Sequence, residues 1–232
     1  MGFAMHHNPI HLSEADHQAI SEAVAAAEER SAGEIVTIIA GESNSFNDVA
    51  LLWSALAAFA ALSVLALFPE FYLAKVDWLI GNWQFEWTPA RVFALALFVA
   101  TMKFLAMWLL QLWRPLRMAL VPAPLKHARV RDRAVRYFKV GAERRTVGRT
   151  GILIYLSLAE HRAEIVADAA IAAKVSPEVW GDAMAAMLDE IRAGRPGAGM
   201  IAAVERVGLV LAEHFPRADD DRNELPDRLI EL

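Results

Sequence analysis

Residues 151–168 read GILIYLSLAEHRAEIVAD. Over 151–158 both alternating sets of side chains are apolar or small, and β-branched and aromatic residues recur, so the segment predicts a strand covered on both faces in the middle of a sheet. Ala159-Glu-His-Arg162 reads as a tight turn and 163–167 as a second strand, which makes a hairpin. Asp168 closes it, ahead of a short helix running through Lys174. A carboxylate there has two readings. It is either the N-cap of that helix, or a metal ligand or phosphoryl-handling acid at a strand's carboxyl end, where α/β sheets bind ligands. Glu160, His161 and Glu164 are close in sequence, but adjacent strand residues point to opposite faces and cannot all converge; His161 reads as a turn residue.

Working outward, 34–41 (EIVTIIAG) is a second β-branched segment bounded by glycines and predicts a further strand. Before it, Ser13 with Asp16 three residues on marks a helix start, Ile20, Val24 and Ala27 recur at helical spacing, and Gly33 ends the helix. Upstream of the hairpin, Pro115, Pro122 and Pro124 break the chain before a basic helix over about 126–146, with Val130, Ala134, Tyr137, Phe138 and Ala142 as its apolar side. Downstream, Ser176-Pro177 opens a helix carrying Trp180, Met184, Met187 and Ile191 that stops near Gly194. A last helix over about 198–215 follows, then an acidic tail. A single strand has no sheet of its own, so the strand at 34–41 and the hairpin belong to one α/β domain.

What separates them is apolar. The 232 residues are 56% hydrophobic, with a mean hydropathy of +0.30, yet 22% charged, so the apolar residues are concentrated. Residues 49–68 hold no charge, and 92–113 hold one, Lys103. A helix of about 20 residues crosses a hydrocarbon core of ~30 Å, so both segments predict transmembrane spans. Lys103 in a span invites pairing with a carboxylate or with a partner protein's span; snorkelling, or pairing with Ser54, Ser63 or backbone oxygens, is the alternative. The intervening 69–91 is rich in aromatic residues, among them Phe71, Trp78, Trp83, Phe85 and Trp87, and reads as an interfacial turn. The first residues lack the basic and apolar regions of a secretory signal, which leaves targeting to the first span.

Charge sets the orientation. Residues 114–149 carry eleven Lys and Arg against two acids, a net +9, whereas 69–91 nets −1. The positive-inside rule therefore predicts a multi-pass protein of the bacterial inner (plasma) membrane with both termini cytoplasmic. Residues 1–48 and 150–232 each net −7, so the overall charge of −5 conceals a basic belt between acidic segments. The basic helix within that belt fits the lipid bilayer better than nucleic acid, because it begins about a dozen residues from the second span.

The absence of cysteine excludes disulfides, zinc–cysteine sites and thiol nucleophiles. Neither a phosphate-binding glycine loop nor an HExxH pair occurs, and no Ser-His-Asp constellation is visible. His6, His7, His11 and His17 suffice for weak metal binding, but their irregular spacing reads as a solvated tail.

From 148 to 168, GRTGILIYLSLAEHRAEIVAD resembles the TPM domain, a family named for a thylakoid lumen protein, a photosystem II repair protein and a nematode receptor modulator. The resemblance extends to SAGEIVTIIAG, Trp180, AGRPGAG and AAVERVGLVLAEHFP, and is nearest to a membrane-embedded, uncharacterised bacterial branch. It implies a sandwich of a small mixed sheet and helices. It also implies one of two roles: scaffold or accessory factor for a membrane protein complex, or metal-assisted phosphatase using calcium or magnesium with Asp168 at the site. Secreted relatives commonly carry an Asn-Asn-Gly type segment where this chain has Arg149-Thr150-Gly151. The expected organisation is thus 1–48 as the first part of the α/β domain, 49–113 as a transmembrane hairpin with spans at 49–68 and 92–113, 114–216 as the basic helix and the rest of the domain, and 217–232 as an acidic tail. The expected partners are the bilayer and another membrane protein, with no nucleic acid.

Overall fold

A computed structural model describes residues 12–81, 86–141, 150–217 and 225–232. Of these, the residues up to Asn44 and from Ala123 onward form one compact unit, and Ser45–Pro122 form another.

The first unit is a mixed α/β fold. Helix α1 (Glu14–Glu28) starts in the expected capping box: the Ser13 Oγ accepts from Asp16 N at 3.1 Å, and the Asp16 carboxylate accepts from Ser13 N at 3.0 Å. Strand β1 (Glu34–Ala40) pairs in parallel with β2 (Gly151–Ser157), and β2 pairs antiparallel with β3 (Arg162–Ala167). The two sequence segments on either side of the hydrophobic insertion therefore share one sheet. Every residue of β1 and β2 is buried, the central position that their two-sided apolar sequences require.

Layers cover both faces. On one lie α1, α8 (Val179–Arg192) and α9 (Pro196–His214), whose Ile20, Val24, Met187, Val204 and Leu211 pack with Ile35, Ile152 and Ile154. On the other lies the basic helix α6 (Ala123–Gly141), whose Val130, Ala134 and Phe138 meet Val36, Leu153 and Tyr155. The continuation expected for this helix, toward residue 146, falls outside the described residues, as do His6, His7, His11, Trp83 and Phe85. Close approach of α1 to α9 depends on missing side chains: a Cβ at Gly208 would stand 2.7 Å from the Ala27 Cβ, and one at Gly197 would stand 2.7 Å from Asp16 Oδ1.

The acidic C-terminal segment ends in the sheet. Strand β4 (Ile230–Glu231) pairs in parallel with β1, giving the order β3-β2-β1-β4, and Leu225 and Leu229 are buried. Leu232 N donates to Ile39 O at 3.0 Å and Gly41 N donates to Leu232 O at 2.8 Å. Two residues carry no periodicity that a sequence can display; they are a strand because the outer edge of β1 offers unpaired backbone groups.

The second unit holds α2 (Asn47–Leu67) and α4 (Pro89–Leu110), both long and apolar enough to cross a membrane. They pack together, and most of their large side chains face outward, as Phe59, Phe93 and Leu97 do. Between them the aromatic segment contains a helix, α3 (Pro69–Ile80), which starts on Pro69 and ends at Gly81 with φ 69°. Trp87 Nε1 donates to the Asp77 carboxylate at 3.1 Å. Pro115 falls in the first turn of a short helix, α5 (Arg114–Leu120), as its missing N–H allows.

Candidate functional site

Asp168 Oδ1 accepts from Ala169 N at 3.0 Å, at the head of the four-residue helix α7 (Ala169–Ala172), so it is the N-cap there. It is 5% exposed, and its second oxygen, Oδ2, has no hydrogen-bond partner among the described residues. Its position in the sheet differs from the sequence expectation. Because β3 runs antiparallel, its carboxyl end lies beside the amino ends of β1 and β2: Asp168 N donates to Gly151 O at 2.9 Å, and Gly151 is in register with Glu34. Ligands of parallel strands gather at the opposite end.

Nor does Asp168 sit in a ligand set. Among the described residues no group of three or more His, Asp or Glu is placed to hold a metal ion. Calcium asks for about six to eight oxygens, and a lone carboxylate does not make that cage. Oδ2 could take one bond to a cation, and the described residues offer it no further carboxylate or imidazole ligands in a group of three.

At the carboxyl ends of β1 and β2 the fold assembles a different cluster. Glu160, in the hairpin turn, accepts from Ser43 N at 3.1 and 3.2 Å and from the Ser157 hydroxyl, while Ser43 Oγ and Tyr155 OH are 3.0 Å apart. Glu160 is 5% exposed and Tyr155 fully buried. Burial pushes the Tyr155 phenol above its usual range, against the hydrogen bond from Ser43 that lowers it. Tyr137 of α6 stacks on the Tyr155 ring at 6.0 Å, and the Arg133 guanidinium lies 5.5 Å from the Tyr137 centroid. This network ties the end of β1 to the β2–β3 turn. The Ser157 hydroxyl rests directly on the Glu160 carboxylate, but Ser157 is fully buried and Glu160 nearly so, which closes the pair to a substrate; His161 is exposed in the turn at φ 49°.

Glu164, cross-strand from Tyr155, meets His127 of α6 at 3.1 Å. Burial holds its carboxyl above the usual range, offset by the nearby His127, Arg131 and Arg162 charges. Glu160, in the turn, and Glu164, in β3, thus face different partners. A third acid was not legible in the sequence. Glu28 is 7% exposed, accepts from Ile35 N at 2.8 Å, and has its pKa raised to about 8, mainly by burial and then by Glu34 and Asp227. Nothing in a helical repeat marks its last residue as buried; the partners come from β1 and the C-terminal segment.

An apolar cleft of about 170 Å³ opens between α6 and the β1–β4 edge, lined by Val36, Ile38, Phe138, Val140, Ile230 and Leu232 among others. Its side-chain lining is apolar apart from Tyr137.

In the hairpin unit, Gln111 Nε2 donates to Ala50 O and to Met107 O, each at 3.1 Å, and to Ser54 Oγ at 3.4 Å. Lys103 is exposed and has no polar partner among the described residues. Both hydroxyls that sequence reasoning offered it are engaged with their own helix: Ser54 Oγ donates to Ala50 O at 2.8 Å and Ser63 Oγ to Phe59 O at 2.9 Å.

No family model matches the chain, and no curated protein does. Among solved structures, the NMR structure of the BA42 protein from the psychrophilic bacterium Bizionia argentinensis is similar, with a TM-score of 0.54 and 18% identity over 95% of each chain. At that identity the likeness concerns the fold.

Proposed function

We propose that this chain is a multi-pass protein of the bacterial inner membrane, with both termini cytoplasmic, whose TPM-like α/β domain acts as a scaffold or accessory factor for a membrane protein complex. The observation that carries the reading is the pair α2 and α4. Their large apolar side chains face outward, as lipid or a partner's helix would require, and the chain on both sides of them contributes to a single sheet. The basic α6, with Arg131, Arg133, Arg136 and Lys139 exposed, supports a cytoplasmic domain close to anionic lipid. The three polar networks of the α/β unit favour holding over turnover, since each ties elements together and the hydroxyl–carboxylate pair among them, Ser157 and Glu160, is buried.

The test is fractionation and topology followed by detergent co-purification. Retention of the chain in membranes after alkaline carbonate, a cytoplasm-only signal from a reporter fused after Leu232, and a membrane protein that co-purifies stoichiometrically are expected. Carbonate release, or a reporter active only in the periplasm, refutes the placement.

The unpartnered Oδ2 of Asp168 favours a second reading, a metal-assisted phosphatase. Because the described residues supply no further ligands, no catalytic step is assigned. Hydrolysis of a generic phosphoester by the purified chain with Mg²⁺, Mn²⁺ or Ca²⁺, abolished in Asp168→Ala but not by loss of folding, would displace the scaffold reading.

A further inference from the structure

We infer that the surface of α4 around Lys103 is a docking site for a transmembrane helix of a different protein, one that carries an Asp or Glu at the depth of Lys103. The inference rests on the membrane placement proposed above and names the chemistry of the partner.

Three observations lead to it. Lys103 is exposed and has no polar partner among the described residues, with Ser54 and Ser63 already committed elsewhere. By helical spacing it shares a stripe with Ala96, Ala100, Met107 and Gln111, and Gln111 bonds to α2. The helix packed against α4, α2, is rich in alanine, with Ala55, Ala57, Ala58, Ala60 and Ala61, and small side chains of this kind let a further helix approach a helix pair closely.

Snorkelling does not relieve it. Lys103 lies seven residues before the end of α4 at Leu110, roughly 10 Å at 1.5 Å per residue. The Cα–Cβ bonds of a helix tilt toward its N-terminus, so the stem leaves the backbone away from that nearer end, and the other end at Pro89 is about 21 Å off. An isolated cation at such depth is costly unless paired.

A second copy of the chain cannot supply the pairing. Residues 49–68 and 92–113 contain no Asp or Glu, so a homodimer through this surface would set Lys103 against Lys103. The carboxylate must come from another protein.

The experiment uses the full chain, which has no native cysteine, labelled with a donor at Glu86→Cys and reconstituted in phosphatidylcholine vesicles. Acceptor-labelled Leu/Ala transmembrane peptides carry one Asp at the depth of Lys103, or Leu or Asn at the same place, or Asp two turns away. The matched Asp peptide is expected to associate roughly tenfold more tightly than the Leu peptide, as intramembrane polar contacts allow, and Lys103→Met should remove the difference. Equal association of the Asp and Leu peptides, an Asp preference unchanged in Lys103→Met, or an Asp preference erased by phosphatidylglycerol headgroups would each overturn the inference. Flotation of the protein with carbonate-washed vesicles is scored separately. Chains that fail to float refute the membrane placement itself, whereas chains that float without an Asp preference refute only the partner chemistry.

Discussion

Glu28 provides a sharp energetic test of the α/β unit. In the folded chain its carboxyl is raised from 4.5 to about 8, chiefly by burial, with Glu34 and Asp227 adding to the effect against the bond from Ile35 N. A carboxyl raised on folding binds its proton more tightly in the native state than in the unfolded one. Between pH 4.5 and 8 the native chain is protonated at Glu28 while the unfolded chain is ionised, so stability falls as pH rises through that window and levels off above it. At about 1.4 kcal/mol per pKa unit the full step is on the order of 5 kcal/mol. Glu28→Gln keeps an acceptor for Ile35 N and a donor toward Asp227, and so mimics the protonated acid at every pH. The assay is denaturant unfolding of the full chain in detergent from pH 4.5 to 8.5, followed at Trp180, the one tryptophan of the α/β unit, with the other six replaced by Phe in both proteins. Wild type should lose stability steadily across the range. The variant should match it at pH 4.5 and exceed it by about 3 kcal/mol or more at pH 8.5. Parallel pH profiles for the two proteins, or a variant destabilised at high pH, would refute the placement of Glu28 in a desolvated acidic cluster.

Three further outcomes follow from packing and polar pairing. Glu160→Ala strands Ser43 N and the Ser157 hydroxyl in the interior and should cost about 2–4 kcal/mol in the same unfolding assay, whereas Tyr155→Phe, which leaves only Ser43 Oγ short of a partner, should cost about 1 kcal/mol. Gly208→Ala drives a methyl into Ala27 at 2.7 Å and should destabilise by about 1–3 kcal/mol, with partial rescue by Ala27→Gly. Gln111→Leu removes the side-chain bonds from α4 to Ala50 O and Ser54 Oγ and should weaken pairing of the two apolar helices by about 0.6–2 kcal/mol, measured by association of the separate helices in micelles.

Much of the architecture is written locally. Long apolar runs, that of α4 broken by Lys103, define α2 and α4, the Ser13–Asp16 box defines the start of α1, and the double-sided apolar strand 151–158 specifies its own central place, because each of these signals needs only neighbours within a turn or a strand. The need of strand 34–41 for a partner links the two flanks of the insertion from the sequence as well. Tertiary structure decides the rest. Ser43 and Glu160 meet across 117 positions, and Leu225 N reaches Glu34 across 191. The antiparallel course of β3 carries Asp168 to the amino ends of the parallel strands, and β4 exists only as an addition to the edge of β1. Sequence records the period of burial along an element, but which polar group becomes buried, and against what, depends on strand order and register between distant segments. For the same reason Lys103 is legible as a cation in an apolar helix, while its lack of a partner becomes visible only once α2 and its hydroxyls are laid beside it.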